Sequence, residues 1–246
     1  MTSEHPQLPI GEALAVLPDG RRPAHVTLTG TSVAIEPIDS ARHGSDLYAA
    51  VCGPDGDPSG DIWTYMSFGP FDNFEDFQAW LAPQDGQDDP LVFAIIDRAS
   101  GTARGMASYL RFFPQWNSCE VGSIWYAPSL KQSRAATEAM YLMARHVFED
   151  LGYRRYEWKC DSLNAASRRA ALRLGFSYEG IFRQHMLYKG RNRDTAWYAM
   201  IDQDWPQVKT TFEAWLSAEN FDSHGRQLRG LADIRVAQAA KGASEK

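Results

Sequence analysis

Cysteine is scarce in this chain of 246 residues, which has only Cys52, Cys119 and Cys160. Three widely spaced thiols provide neither a disulfide framework nor the paired spacing that is typical of a structural zinc site. Cytoplasmic proteins keep such thiols reduced. We therefore expect free cysteines, no bound metal ion and a cytoplasmic location.

Long hydrophobic runs and an excess of positive charge are missing as well. No apolar segment approaches the roughly 20 residues that span a bilayer. The N-terminal stretch MTSEHPQLPIGEAL lacks the basic and then apolar order of a signal peptide. The net charge of −6 disfavours a general nucleic-acid binder, which normally has a basic face. The sequence thus predicts a soluble intracellular protein with neither a membrane nor a nucleic acid as its partner.

Apolar residues are present in the proportion that a globular core requires. They make up 44% of the chain, and aromatic residues make up 12%, far from the composition of a disordered protein. No internal repeat and no clean linker divides the chain, so one domain with two flanking segments is the simplest organisation. We expect an irregular, proline-rich arm over residues 1–30, the domain over 31–205, and a C-terminal helix and tail over 206–246.

Hydrophobic periodicity assigns the elements of this domain. Single-strand patterns occupy residues 32–38, 117–128 and 156–160. Two hairpins add further strands, one over 90–112 and one that joins 178–187 to 194–202. Helical patterns occupy 40–52, 73–83, 130–150, 164–176 and a segment after Pro206, and beyond that helix we expect a polar tail with a disordered tip. Helices interspersed with these strands predict an α/β (α+β) domain, in which helices flank a mixed, mostly antiparallel sheet of about seven strands.

One helix begins with basic residues and without glycine. Residues 129–140 read SLKQSRAATEAM, so Lys131 and Arg134 lie at the start of the helix. Positive charge there opposes the helix dipole unless an anion neutralises both, which favours a bound phosphate. The alternative is an ordinary capping box of Ser129 and Gln132 with solvated basic side chains.

A second helix start lies about thirty residues further on. In NAASRRAALRLGF, Asn164 caps the helix and Gly175 ends it. Taken alone, this is an everyday capped helix with solvated arginines. Both helices, however, follow strands, and the carboxyl ends of strands form the edge where open sheets bind ligands. Together the two starts could hold a pyrophosphate and the chain attached to it.

The joint pattern resembles the acyl-CoA-binding core of the GCN5-related N-acetyltransferase (GNAT) superfamily. YAPSLKQSRAATEAM is similar to the family's coenzyme turn, Arg/Gln-x-x-Gly-x-Gly/Ala, with Lys131 first, Arg134 at the central glycine and Ala136 last. NAASRRAALRLGFSYEGIFR (164–183) and KGRNRDTAWYAMI (189–201) resemble the branch that acetylates the N-termini of ribosomal proteins, the RimJ/RimL-like enzymes. The resemblance covers residues 30 to 205 and is most specific towards the C-terminal end.

This resemblance implies an acetyl-CoA cosubstrate, without a metal, and assigns residues to it. Ile124 and Tyr126 would pair with the pantetheine arm, and Asn164 and Ser167 would lie near it. The pyrophosphate turn would comprise Lys131, Gln132, Ser133, Arg134, Ala135, Ala136 and Thr137. Arg134 departs from the family's glycine, and it either contacts a phosphate through its guanidinium or weakens coenzyme binding.

The resemblance also implies direct attack of an amine on the thioester. Glu120 lies where many relatives place a carboxylate that removes the proton from the amine; the alternative is an exposed carboxylate at a strand end. The family's usual tyrosine acid is missing from the second helix, which leaves Ser167 or water to protonate the thiolate. The acceptor would be a small-molecule amine or a protein N-terminus. A homodimer is also compatible with the sequence. A non-catalytic acyl-CoA sensor of the same fold is the alternative function.

The acceptor pocket is expected where the sequence diverges from the family. Trp63, Tyr65 and Phe71 lie in a long loop, and Trp116 lies between two strands; their rings could form an apolar or cation-binding site. Alternatively, the loop aromatics anchor to the core. His185 and Asp194 should face each other across the last hairpin and line the same pocket, unless His185 is merely structural.

Overall fold

One sheet of eight strands organises the described part of the chain. The computed structural model describes residues 8–14, 21–53, 56–57 and 59–244. The strands are β1 (Leu28–Thr29), β2 (Val33–Pro37), β3 (Leu91–Asp97), β4 (Thr102–Phe113), β5 (Ser118–Tyr126), β6 (Arg155–Asp161), β7 (Ser177–Tyr188) and β8 (Arg191–Ile201). Their order is β1-β2-β3-β4-β5-β6-β8-β7. The two-residue β1 is the strand added to the predicted seven, and it lies within the segment that we expected to be irregular.

Six of the seven strand pairings in this sheet are antiparallel, and only β5 and β6 run parallel. A parallel pair needs a long crossover connection, whereas antiparallel neighbours need only a turn. The crossover here contains the helix α3 (Arg134–Arg145) and a π-helical turn over His146–Asp150. The predicted α/β class with a mixed, mostly antiparallel sheet is therefore confirmed.

The remaining α-helices cover the two faces of this sheet. They are α1 (Ser40–Cys52), α2 (Phe74–Leu81), α4 (Ala165–Leu174), α5 (Trp205–Leu216) and α6 (Leu231–Ser244). Successive strand residues point to opposite faces, so Phe93 and Ile95 join the core beneath α3 to α6, while Val92 and Ala94 join a second core beneath α1 and α2. Among the described residues, no helix is both long and apolar enough to cross a membrane.

The C-terminal segment forms a helix where the sequence predicted a polar tail. After α5 the chain continues into α6, whose Leu231 and Ile234 are almost completely buried against the main core. Burial of these two apolar side chains stabilises a helix that its polar composition alone did not indicate. Two parts of the expected arm, residues 1–7 and 15–20, lie outside the described residues. The same holds for residues 245–246, where the expected tip ends.

A buried carboxylate ties α3 to the turn between β1 and β2. Glu138 accepts the backbone N–H groups of Thr31 and Ser32 at 2.6 and 2.7 Å, and the Ser32 hydroxyl at 2.5 Å. Burial by itself would raise the pKa of Glu138, but these donors favour the carboxylate and lower the pKa below its usual range. Glu138 thus holds the first two strands on α3.

We expect Glu138→Gln to destabilise the protein by about 1.5–3 kcal/mol at neutral pH, because it removes charge-assisted hydrogen bonds in a buried site. The contribution of Glu138 is complete above the pKa of about 4.3 that the group has when unfolded, and it is lost as pH falls through the lower pKa of the folded protein. Urea unfolding between pH 7 and 3 measures this. If wild type and variant lost the same unfolding free energy between pH 7 and 3, this role of Glu138 would be contradicted. The control is Glu75→Gln, because Glu75 is exposed.

Candidate active site

The parallel strands β5 and β6 separate after a short pairing. Ser118 to Val121 pair with Arg155 to Trp158, but β5 runs on to Tyr126 and β6 to Asp161. Ser123 has a positive φ of 51° at the point of separation, where the pairing of β5 with β4 also shifts its register. An irregularity of this kind bends a strand away from its neighbour. From Gly122 to Tyr126, β5 therefore has a backbone edge that β6 does not pair.

The turn before α3 reaches this opening from the carboxyl end of β5. Gln132 takes the left-handed conformation, with φ 58°, in which glycine is usually found. Ser133 is the helix cap, because its Oγ accepts the N–H of Ala136 at 3.0 Å. The alternative capping box at Ser129 is therefore wrong, since the helix begins four residues later. Arg134 is the first helical residue and has no positive φ, so the absence of glycine there strains nothing.

Four of the seven backbone N–H groups in the expected pyrophosphate turn, residues 131–137, are already engaged, that of Lys131 with the Ala127 carbonyl at 3.1 Å. Ser133 donates to the Leu130 carbonyl, and Ala136 and Thr137 donate to Ser133 itself. The N–H groups of Gln132, Arg134 and Ala135 donate to no other residue in the described part of the chain. Unpaired amides at a helix N-terminus are suitable donors for a phosphate.

The two basic side chains of the turn are engaged with neighbouring segments. Lys131 Nζ lies 3.8 Å from Asp57 Oδ2. Arg134 Nη2 donates to the carbonyl of Leu216, and the guanidinium carbon lies 4.7 Å from the centre of the Phe221 ring. The structure therefore shows Arg134 bound to the C-terminal segment rather than free to reach a ligand.

The start of α4 lies at the carboxyl end of β6, on the other side of the opening. Asn164 Oδ1 accepts the N–H of Ser167 at 2.9 Å, which confirms the predicted cap. Ser167 Oγ accepts the indole N–H of Trp158 at 2.9 Å. The indole N–H is a donor only, so the Ser167 hydroxyl keeps its own hydrogen for another acceptor. Ser167 is thus held in place by its neighbours on both sides.

Glu120 lies directly opposite Glu157 on the adjacent strand. Like charges in this position repel, and Lys159 resolves the conflict by placing Nζ 2.9 Å from Glu120 Oε2 and 2.6 Å from Glu157 Oε2. Arg111 adds a second contact to Glu120 at 2.7 Å, and Arg155 contacts Glu157 at 2.6 Å. Glu120 is only 3% exposed, so it is not the solvated strand-end carboxylate of the alternative interpretation.

A cavity of about 430 Å³ opens on this face of the sheet. It is lined by Arg111, Phe113, Trp116, Ser118, Arg155, Glu157, Lys159, His185 and Trp197. Trp116 stacks on Phe113 and remains 63% exposed, so it reaches solvent. His185 bonds Thr195 at 3.0 Å, and burial together with nearby Arg193, Arg111 and Lys159 lowers the pKa of its imidazole. These surroundings therefore favour the neutral imidazole of His185.

Other residues expected at the acceptor pocket do not line this cavity. Trp63 is buried in the second core, where its ring contacts Phe71 and Trp125. Tyr65 lies beside the start of α4, with its hydroxyl on the Leu163 carbonyl at 3.2 Å. Asp194 accepts the N–H of Gln184 instead of facing the imidazole of His185. Trp63 and Phe71 therefore pack against the second core, as the alternative interpretation of the loop aromatics predicted.

Sequence reasoning missed Lys159, Glu157 and Arg111, which surround Glu120. A signal for two of them was present in the strand YEWKCD, where Glu157 and Lys159 alternate with large apolar residues. A central strand with one charged face is unusual, and it indicates that this face is not covered by core. Arg111 had no such signal, because a β-bulge on β4 brings it to the site.

No group of three or more His, Cys, Asp or Glu side chains in the described ranges could hold a metal ion. The geometry consists instead of an unpaired strand edge, two helix starts and a charged, aromatic cavity. A strand edge can bind an extended chain that carries amides, in the manner of an added strand. A helix start can bind the phosphate at the end of such a chain.

Comparisons with known proteins agree with this geometry. A model of the acetyltransferase (GNAT) domain matches residues 47–177. A GCN5-related N-acetyltransferase from Brucella melitensis is 43% identical over 90% of this chain and 99% of its own, with a TM-score of 0.86. A GNAT-family protein from Chromobacterium violaceum is 36% identical over 82% of this chain and 99% of its own, with a TM-score of 0.73.

More distant relatives share the fold alone. RimL, a ribosomal L7/L12 alpha-N-protein acetyltransferase, is 18% identical over 72% of this chain and 94% of its own, with a TM-score of 0.60. Among curated proteins, none matches this sequence.

We expect Lys159→Met to destabilise the protein by roughly 3 kcal/mol, because it leaves two buried carboxylates without their shared ammonium. The Lys159 and Glu157 side chains are 5% and 10% exposed. Lys209 and Glu149 form a control pair of similar length, 2.7 Å, but each is 34% exposed. Lys209→Met should therefore cost less than about 1 kcal/mol. Equal losses of unfolding free energy in urea for the two variants would show that burial does not govern the Lys159 pair.

Proposed function

This chain belongs to the GNAT acetyltransferase family, and from that premise we propose that it transfers an acetyl group from acetyl-CoA to a primary amine, by direct attack of the amine on the thioester. The acceptor is a small molecule or a protein N-terminus. Acetyl transfer from acetyl-CoA is what the family implies; the acceptor and the roles of individual residues are the proposal.

The opening between β5 and β6 is the single observation that carries this proposal. It combines the unpaired edge from Gly122 to Tyr126 with the free amides of Gln132, Arg134 and Ala135. Pantetheine carries amide groups that fit the strand edge, where Ile124 and Tyr126 would pair with it. The pyrophosphate fits the free amides at the start of α3. Asn164 has side-chain N–H donors that bond no described residue, and these can serve the same arm.

Two side chains near the opening supply the proton transfers that the reaction needs. The coenzyme supplies the acetyl group as an activated thioester. Glu120 takes the proton of the amine, directly or through water; its Oε2 is bound by Lys159 and Arg111, so Oε1 is the oxygen for this role. The Ser167 hydroxyl, held by Trp158, donates a hydrogen to the departing sulfur and regains one from solvent.

The cavity beside Glu120 supports a role as the acceptor site. Its volume of about 430 Å³ suits a small ligand or the end of a peptide chain. Trp116 and His185 are the predicted acceptor residues that line it. A protein N-terminus is supported by the sequence resemblance to the RimJ/RimL-like branch and by the fold shared with RimL. A panel of candidate acceptors should therefore include both kinds of amine.

We expect acetyl-CoA to raise the melting temperature of the protein. With a dissociation constant of about 10 µM, ligand at about 1 mM stabilises the fold by roughly 2.7 kcal/mol, or by about 5–10 °C for a chain of this size. No shift at millimolar acetyl-CoA would contradict coenzyme binding. A shift without thiol release from any amine in the panel would instead identify an acyl-CoA sensor.

We expect Glu120→Gln to lower kcat for thiol release by about 10²–10⁴-fold, because the amide cannot accept the amine proton. The substitution also removes the ion pairs of Glu120 with Lys159 and Arg111. The melting temperature of the variant therefore has to be measured as well, to show that it is folded. Glu179→Gln is the matched control: Glu179 also pairs with an arginine, Arg155, but lies on β7 and lines no part of the cavity. Unchanged turnover in a folded Glu120→Gln variant would remove Glu120 from the mechanism.

A further inference from the structure

The side chain of Arg134 leaves the coenzyme turn and ends on the C-terminal extension, which we define as residues 205–244. Arg134 is the first residue of α3, and its Nη2 donates to the carbonyl of Leu216, the last residue of α5. Its guanidinium also lies against the ring of Phe221, 4.7 Å from the ring centre. One side chain therefore joins the start of α3 to the end of α5.

Electrostatics explain why an arginine is stable in this position. A cation at the start of α3 is disfavoured by that helix's dipole, whereas a cation at the end of α5 is favoured and satisfies a terminal carbonyl. The Phe221 ring adds a cation–π contact. The charge that appeared misplaced within α3 is thus stabilised by the extension.

Two further arginines fasten the extension to the same region. Arg173, at the end of α4, donates to Thr137 Oγ1 in the first turn of α3 at 3.2 Å, and its guanidinium lies 5.1 Å from the Trp215 ring centre. In return, Arg235 of α6 donates to the carbonyls of Leu172 and Arg173 at 3.3 and 3.0 Å. The extension therefore contacts both helices that border the opening.

The turn that Arg134 adjoins needs support from outside. Gln132 is held at φ 58°, which is unfavourable for a residue with a side chain. Such conformations persist when the surrounding structure imposes them. The free amides of Gln132, Arg134 and Ala135 have their positions set by this turn, so a contact that fixes the start of α3 also fixes the amides.

We propose that Arg134 is a positioning residue that fastens the C-terminal extension to the coenzyme turn, and so holds the turn's amides in place for the pyrophosphate of coenzyme A. The inference rests on the proposed function, because it assigns coenzyme A to this turn. It explains the departure from the family's glycine without a contact between the guanidinium and a phosphate. Arg134 and Phe221 then act as one unit.

Calorimetric titration with coenzyme A and with pantetheine tests this proposal. We expect Arg134→Ala and Phe221→Ala each to weaken coenzyme A binding about tenfold, and the double variant to be no weaker than either, as coupled residues behave. Pantetheine lacks the pyrophosphate, so its affinity should stay within about twofold of wild type. Exposed Arg229, whose side chain forms no hydrogen bond or ion pair with another described residue, gives the matched control Arg229→Ala, which should change neither affinity.

The alternatives give different results. If Arg134 contacted a phosphate itself, Arg134→Ala would weaken binding and Phe221→Ala would not. If Arg134 blocked the site, Arg134→Ala would bind coenzyme A more tightly than wild type. Equal weakening of coenzyme A and pantetheine would indicate general damage to the fold. Each of these results overturns the proposal.

Limited trypsin digestion provides a readout that is independent of ligand. We expect Arg134→Ala and Phe221→Ala to accelerate cleavage within 217–230, because the extension is released from α3, while the melting temperature reports whether the domain stays folded. Unchanged cleavage would show that Arg134 does not hold the extension. Failure of wild type to bind coenzyme A would overturn the proposed function and this proposal together. Binding by wild type that both variants retain would overturn this proposal alone.

Discussion

The parting of β5 from β6 is the constraint on which the rest of this structure depends. Two parallel strands pair for four residues and then diverge, so that one edge of β5 is left with unpaired backbone groups. Because the strands are parallel, the helices that follow them begin at the same edge of the sheet. The irregularity at Ser123 therefore opens the sheet between the two helix starts that border this edge.

The charged side chains below the opening form a second arrangement that depends on strand pairing. Pairing in register places Glu120 opposite Glu157. Their repulsion is offset by Lys159, which contacts both carboxylates, and by Arg111 and Arg155, which each contact one of them. The same register places Glu157 and Lys159 of β6 on the face where the cavity opens, and both side chains line it together with aromatic rings. The two cations that stabilise this part of the sheet, Lys159 and Arg111, both contact Oε2 of Glu120.

The C-terminal extension shows how a chain can depart from a family pattern and keep its architecture. An arginine replaces the usual glycine at the start of α3, where it needs no left-handed conformation and where α5 accepts its charge. The left-handed position belongs to Gln132 instead. Arg134 in the turn and the C-terminal segment that follows α5 are therefore linked, because the segment provides the carbonyl of Leu216 and the ring of Phe221 as partners of the guanidinium.

Local signals in the sequence determined the elements and much of the region that we propose binds coenzyme A. The Asn164 cap, the Gly175 stop and the alternation in the strands act over a few residues, so they could be interpreted without tertiary contacts, and they predicted the fold class correctly. Only the tertiary structure decided which charges meet. Arg134 and Leu216 are 82 positions apart, and Lys159 joins its carboxylates across two strands. Long-range contacts of this kind depend on strand register and helix docking, whose free energies are sums over the whole core and are not encoded in any short segment.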